Sequence, residues 1–110
     1  MHIEKKENYT LISSDENSFS DFYDAFYKSL QSLIDTHIIV ELSENLNITE
    51  KDISLFLNIS ESKKSNATSF VLVYKNIDVD VFPEDFNIVP SLTEAEDVME
   101  MEAIERDLGF

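Results

Sequence analysis

A chain of 110 residues with 43% hydrophobic and 11% aromatic side chains has enough apolar material for one packed core and is no disordered tail. Eight Lys and Arg against 23 Asp and Glu give a formal charge of −15, which repels phosphate backbones and anionic headgroups and excludes nucleic acid and membrane surfaces as first partners. The absence of Cys and Trp, with one Gly and two His, excludes thiol nucleophiles, cysteine-based zinc sites and glycine-rich phosphate cradles.

Residues 1–7 are charged where a secretory signal needs an apolar run, and no stretch approaches the ~20 apolar residues of a membrane span. A cytoplasmic location is therefore expected, and the sequons at Asn8, Asn47, Asn58 and Asn66 are read as unglycosylated. Residues 3–6 and 9–13 predict two strands joined through Glu7 and Asn8, the first at an edge guarded by lysines. From Ser18 the pattern turns helical. Phe19, Phe22, Tyr23, Phe26, Leu30, Leu33 and Ile34 form one apolar stripe, and Ser18 with Asp21 three positions on reads as its cap. Residues 37–42 and 69–74 are short apolar runs rich in β-branched residues, the pattern of strands covered on both faces.

Between those strands, Thr49 and Asp52 cap a second helix carrying Ile53, Phe56, Leu57 and Ile59, which the polar run 61–66 is expected to end. Residues 77–82 leave room only for a shortened helix, Pro83 breaks the chain, and 86–89 predict a short strand. A last, acidic helix over 93–108 is capped by Thr93 and Glu96. The order β-β-α-β-α-β-β-α predicts one small α/β domain, with a mixed sheet of four to five strands and about three main helices. Residues 38–42 and 70–74 should be interior strands, with Phe22, Phe26, Leu30 and Ile34 buried against them.

In this order, Glu41-Leu42-Ser43 ends a strand and Thr49-Glu50-Lys51-Asp52-Ile53 opens the next helix. That stretch resembles the centre of STAS domains, the fold of anti-sigma factor antagonists and of sulfate-transporter tails, where a strand ending in Asp-Leu-Ser leads to a helix opening with Asp-Ser-Ser-Gly-Leu. Residues 11–16, 70–74 and 88–97 extend the resemblance over nearly the whole chain, by pattern more than identity. The resemblance implies a STAS-like fold and partner binding through residues 45–53. It also implies that the family phosphosite falls on Glu50 or Lys51, neither of which accepts phosphate, while Thr49 stands at the motif's Asp and is taken up by the helix cap. The segment 95–110 is similar to the end of small STAS-like proteins encoded beside ribonuclease Z. That enzyme's His-x-His-x-Asp-His cluster has no counterpart where the only histidines are His2 and His37, so ribonuclease activity is rejected.

Each remaining candidate has a plainer alternative. His2 and His37 lie 35 positions apart without a Ser or Cys constellation, so His37 is read as structural. Asp78, Asp80, Glu84 and Asp85 offer oxygen ligands but lack the loop glycine and terminal Glu of an EF-hand, and read as a solvated loop. From Asp78 to Asp107 there are 11 acids and one base, Arg106, an asymmetry that either solvates a helix face or receives a basic partner. Met99, Met101 and Phe110 are either a soft docking surface or core. On the last helix, Ala95, Val98, Met101, Ile104 and Leu108 are expected to form the stripe packed on the sheet. Gly109 is expected to take the left-handed cap conformation and turn Phe110 toward apolar surface of this domain or of a partner.

The expected function is a noncatalytic protein-interaction and regulatory module of the anti-sigma factor antagonist type. Its partner would be a protein with a basic surface, bound through Asn45, Asn47, Thr49, Glu50, Lys51, Asp52 and Phe110 or through the acidic helix. No catalytic residue, metal or cofactor is expected. The alternative is a small-ligand-binding or metal-dependent enzyme.

Overall fold

Strand order and connection handedness decide which face of the sheet each helix covers. The computed structural model describes residues 1–76 and 78–109. Strand β1 (His2–Lys5) pairs antiparallel with β2 (Thr10–Ser13), and β2, β3 (Ile38–Glu41), β4 (Phe70–Val73) and β5 (Ile88–Val89) then follow one another in parallel. Right-handed crossovers taken in one direction across a sheet put their helices on the same face. Thus α1 (Phe19–Ser29), α2 (Glu50–Ser54) and α3 (Leu57–Ser65) share one side, and α4 (Leu92–Asp107), which follows β5, covers the other. Alternation along the strands feeds the two layers. Ile12, Ile38, Val40, Phe70 and Leu72 face α1–α3, while Leu11, Ile39, Val71 and Val73 face α4. No helix among the described residues is long and apolar enough to cross a membrane.

The larger layer is organised around Phe56. Its ring lies 5.9 Å from Phe19, 5.6 Å from Phe26 and 6.2 Å from Phe70, and it is fully buried with Phe22 and Phe26. Truncating any such ring to Ala costs about 3–5 kcal/mol. The second predicted helix is two segments because the turn tightens here: Leu55 N–H reaches Asp52 O and Phe56 N–H reaches Ile53 O, both bonds across three residues.

Several expectations are corrected. Ile34 is exposed, because α1 tightens into a 3₁₀ turn at Leu30–Leu33; three residues per turn shift the stripe, so that Leu33 goes inward and Leu30 is only half-buried. The polar run 61–66 does not end the helix, which continues to Ser65. The last helix starts two residues early, with Ser91 in extended conformation accepting the Glu94 N–H, not with Thr93 and Glu96. Both pairs have the same spacing, but the earlier start lets Leu92 pack against the sheet. Of the expected stripe Ala95 and Val98 do pack, together with Leu92 and Met99, whereas Met101, Ile104 and Leu108 point outward. Among the described residues, a 3₁₀ turn, Val79–Val81, stands between β4 and β5 in place of the shortened helix expected over 77–82, and Ile77 lies outside the described residues. Strand bounds otherwise fall within two residues of expectation. His37 precedes β3, and Leu42 and Tyr74 extend their ladders by N–H bonds to Val73 O and Val89 O.

The polar run is helical because Lys63 continues the inward series Ile53, Phe56, Ile59 at helical spacing. Lys63 is only 3% exposed, and its ammonium donates to the carbonyls of Leu33 (2.5 Å), Ile34 (3.2 Å) and Thr36 (2.6 Å). These oxygens lie at the carboxyl end of the first helical segment, where helices leave acceptors unpaired and carry partial negative charge. Burial lowers the Lys63 pKa from 10.5 to about 8, with the Asp35 charge opposing, so the group remains an ammonium at neutral pH. At its own end, α3 closes through Ala67 in the left-handed region (φ 57°), with Thr68 N–H and hydroxyl both donating to Lys63 O.

Replacing Lys63 by Met takes a donor from three carbonyls, of which Leu33 O keeps the Thr36 N–H, and is expected to lower the unfolding free energy by about 1–3 kcal/mol in urea titrations. Between about pH 8 and 10.5 the unfolded chain holds the Lys63 proton and the folded chain does not. The stability gap between wild type and Lys63→Met should therefore widen as pH rises through that window. Tyr9, pushed up to about 12 by burial and Glu96, works in the opposite direction above pH 10 but is common to both proteins.

Candidate functional site

The segment singled out in the sequence lies at the carboxyl ends of the parallel strands, where open α/β sheets present their loops. Ser43 N–H donates to Ser14 Oγ (2.8 Å), which ties the loop after β3 to the loop after β2. A 3₁₀ turn, Glu44–Leu46, buries Leu46, and Asn47 then takes a left-handed conformation (φ 50°) that Asn tolerates better than most residues. Ile48 N–H donates to the Tyr74 hydroxyl (3.3 Å), and Lys75 pairs with Glu44 at 3.5 Å. The reciprocal box follows, with Asp52 N–H on Thr49 Oγ1 (3.2 Å) and Thr49 N–H on Asp52 Oδ2 (3.1 Å).

The structure thus sorts the predicted partner-binding residues. Asn45, Glu50 and Lys51 are exposed without a structural duty for their side chains. Asn47 serves its backbone, and Thr49 and Asp52 are committed to the cap. Phe110 lies outside the described residues, next to Gly109, whose φ of +79° is the left-handed cap expected.

Beside this loop is a feature that sequence reasoning missed. Between α1 and the α2–α3 pair the surface opens into a groove of about 560 Å³. Tyr23, Tyr27 and Ile34 line one side, Leu55 and Ile59 the other, and Lys63 closes one end of the contact between them. Tyr27, Ile34 and Leu55 are 60%, 51% and 48% exposed, so the groove has apolar walls open to water, edged by Gln31, Ser54, Asn58, Ser62 and Asn66. Tyr23 holds its rim: the hydroxyl donates to Leu55 O at 3.4 Å, burial raises its pKa, and its ring lies 6.1 Å from Tyr27. The signal was in the sequence. Tyr23, Tyr27, Leu30 and Ile34 form a second helical stripe beside Phe19, Phe22, Phe26 and Leu33, and together the two are wider than one sheet face can cover.

At the opposite end of the strands, Tyr9, His37, Glu96, Glu100 and Arg106 line a cavity of about 530 Å³. His37 Nδ1 accepts Ser69 N–H (2.9 Å), which fixes a neutral ring with its proton on Nε2 and leaves no basic nitrogen for proton abstraction. Burial lowers its pKa, and the Arg106 and Lys63 cations add to this. Arg106 donates to Ser69 Oγ (2.9 Å) and the Tyr9 hydroxyl to Glu96 (2.7 Å), so Tyr9, His37, Glu96 and Arg106 each have a structural partner. Among the described residues, no group of three or more His, Asp or Glu is gathered to hold a metal, Asp78, Asp80, Glu84 and Asp85 included.

No protein-family model matches the chain, and no curated protein matches it significantly.

Thr49→Ala should cost about 1 kcal/mol through loss of the cap, whereas Glu50→Ala and Lys51→Ala should each stay within ~0.5 kcal/mol, as chemical denaturation will show. Because His37 binds its proton less readily folded than unfolded, stability from this residue falls as pH drops through and below 6.5. His37→Asn, which offers an amide oxygen in place of Nδ1, should flatten that acid limb when melting is followed down to about pH 5.

Proposed function

We propose that this chain is a noncatalytic protein-interaction module of the anti-sigma factor antagonist type, without the phosphorylation switch, that docks a partner protein on its α1–α2–α3 face. The observation that carries this reading is the open apolar groove walled by Tyr27, Ile34 and Leu55, contiguous with α2. Soluble domains leave such grooves where something binds, and aromatic residues with large contact area supply most of the anchoring at interfaces. Exposed Glu50 and Lys51 stand at the start of the same helix, with Asn45 in the 3₁₀ turn before it, and would form the polar rim. Lys63, His37 and Tyr9, whose pKa values are shifted, are each engaged in holding the fold, and the Tyr23 hydroxyl, raised by burial, donates to Leu55 O. This arrangement favours a binding surface over a reactive centre. A cytoplasmic setting and a basic partner belong to the same proposal.

The test is a comparative pull-down from the native cell with the full chain and its Leu55→Glu and Tyr27→Ala variants. Both sites are surface positions, so melting temperatures should be unchanged, while the partner recovered by wild type is lost with Leu55→Glu and reduced with Tyr27→Ala. Recovery of the same proteins by all three chains would refute docking in the groove.

A further inference from the structure

On the far side of the sheet from the groove, α4 packs through Leu92, Ala95 and Met99, which aims the opposite side of the same helix at solvent. That outward side is not uniformly polar. Met101, Ile104 and Leu108 are 60%, 53% and 66% exposed, and their spacing of three and four residues stacks them into one line along the helix. Helical geometry sets Glu100 and Asp107 along one flank of this line and Glu105 along the other, and Asp97 and Glu94 continue it toward the start of α4. All five carboxylates are exposed. The only base on the helix, Arg106, is turned toward the sheet, where it donates to Ser69. No ion pair among the described residues involves an α4 carboxylate.

We propose that the outward face of α4 is a second docking surface, which receives a basic amphipathic helical segment of another protein. Two complementary features identify the occupant. The three-residue apolar line calls for anchors at matching helical spacing, and the uncompensated carboxylates on both flanks call for Lys or Arg beside those anchors. A second copy of this chain fits poorly, because two α4 faces brought together would juxtapose like charges at close range. The surface lies on the opposite side of the sheet from the groove, so this inference goes beyond the proposed function and stands or falls separately. With both surfaces occupied, the chain would bridge two proteins.

The test titrates the full chain with a synthetic peptide of about 18 residues that carries leucines on one helical face and lysines on the other, and with a scrambled peptide of the same composition. The striped peptide is expected to bind at least about tenfold more tightly than the scrambled one, with both affinities falling as salt is raised from about 50 to about 500 mM. In a chain carrying Ile104→Ser and Leu108→Ser, the striped peptide should fall to the scrambled level while the melting temperature holds. The Leu55→Glu chain should keep the full preference. Equal binding of the two peptides would show charge attraction alone and overturn the proposal, as would undiminished binding to the double variant or loss of binding in Leu55→Glu. A dimer of the wild-type chain in sedimentation that the double variant abolishes would reassign the stripe to self-association and also overturn it.

Discussion

The Lys63 ammonium, held by three carbonyl oxygens, is the interaction on which the arrangement of the larger helical layer rests. It joins α3 to the carboxyl end of the first helical segment, where it donates to the Leu33, Ile34 and Thr36 carbonyls. Without the lysine, the Leu33, Ile34 and Thr36 carbonyls would lack this donor; without the carbonyls, a charge would be buried alone. Either loss costs more than the contact itself yields, because a desolvated polar group without a partner bears its full penalty. The pair therefore acts less as a source of stability than as a constraint on the two helices that wall the groove. The aromatic hub at Phe56 supplies the attraction that Lys63 orients.

That constraint connects the fold to the surface. Parallel strands in chain order put α1, α2 and α3 on one face, and their combined apolar width exceeds what the sheet covers. The excess emerges between α1 and α2–α3 as the groove. On the other face a single helix covers the sheet with one side and presents acids and an apolar line with the other. The two faces differ in chemistry. The groove side carries Lys28, Lys51, Lys63 and Lys64 among its acids, whereas α4 has seven acids and one inward-facing base. Two partners of different character would thus be kept apart by the sheet itself.

The alternation of apolar runs and helical stripes made the order of elements legible in the sequence, as did the caps at Ser18 and Thr49, which rest on local hydrogen bonds within three residues. What failed to show depended on contacts distant in sequence or on departures from ideal period. Ile34 was misplaced because a 3.6-residue count was carried through a 3₁₀ turn. Lys63 passed unnoticed within the polar run expected to end the second helix, because its partners lie about 30 residues upstream. The stripe on α4 was chosen by spacing alone, and two stripes of similar regularity exist there; only the sheet decides that Leu92, Ala95 and Met99 turn inward. Of the predicted partner-binding residues, Asn45, Asn47, Thr49, Glu50 and Lys51 are exposed, the first, fourth and fifth of them without a structural duty for the side chain, and the groove beside them was visible only as an unexplained surplus of apolar residues on α1.

A buried lysine that keeps its proton at neutral pH can be observed without reference to any partner. Titration of the seven lysines by NMR of their Cε and Nζ resonances reads it directly. The account predicts one lysine, assigned to Lys63 by its absence in Lys63→Met, with a midpoint near 8 and ammonium protons that exchange slowly with water. A Lys63 midpoint near 10.5 with rapidly exchanging protons would show the ammonium in water and contradict the account, leaving the α1–α3 groove without the clamp that shapes it.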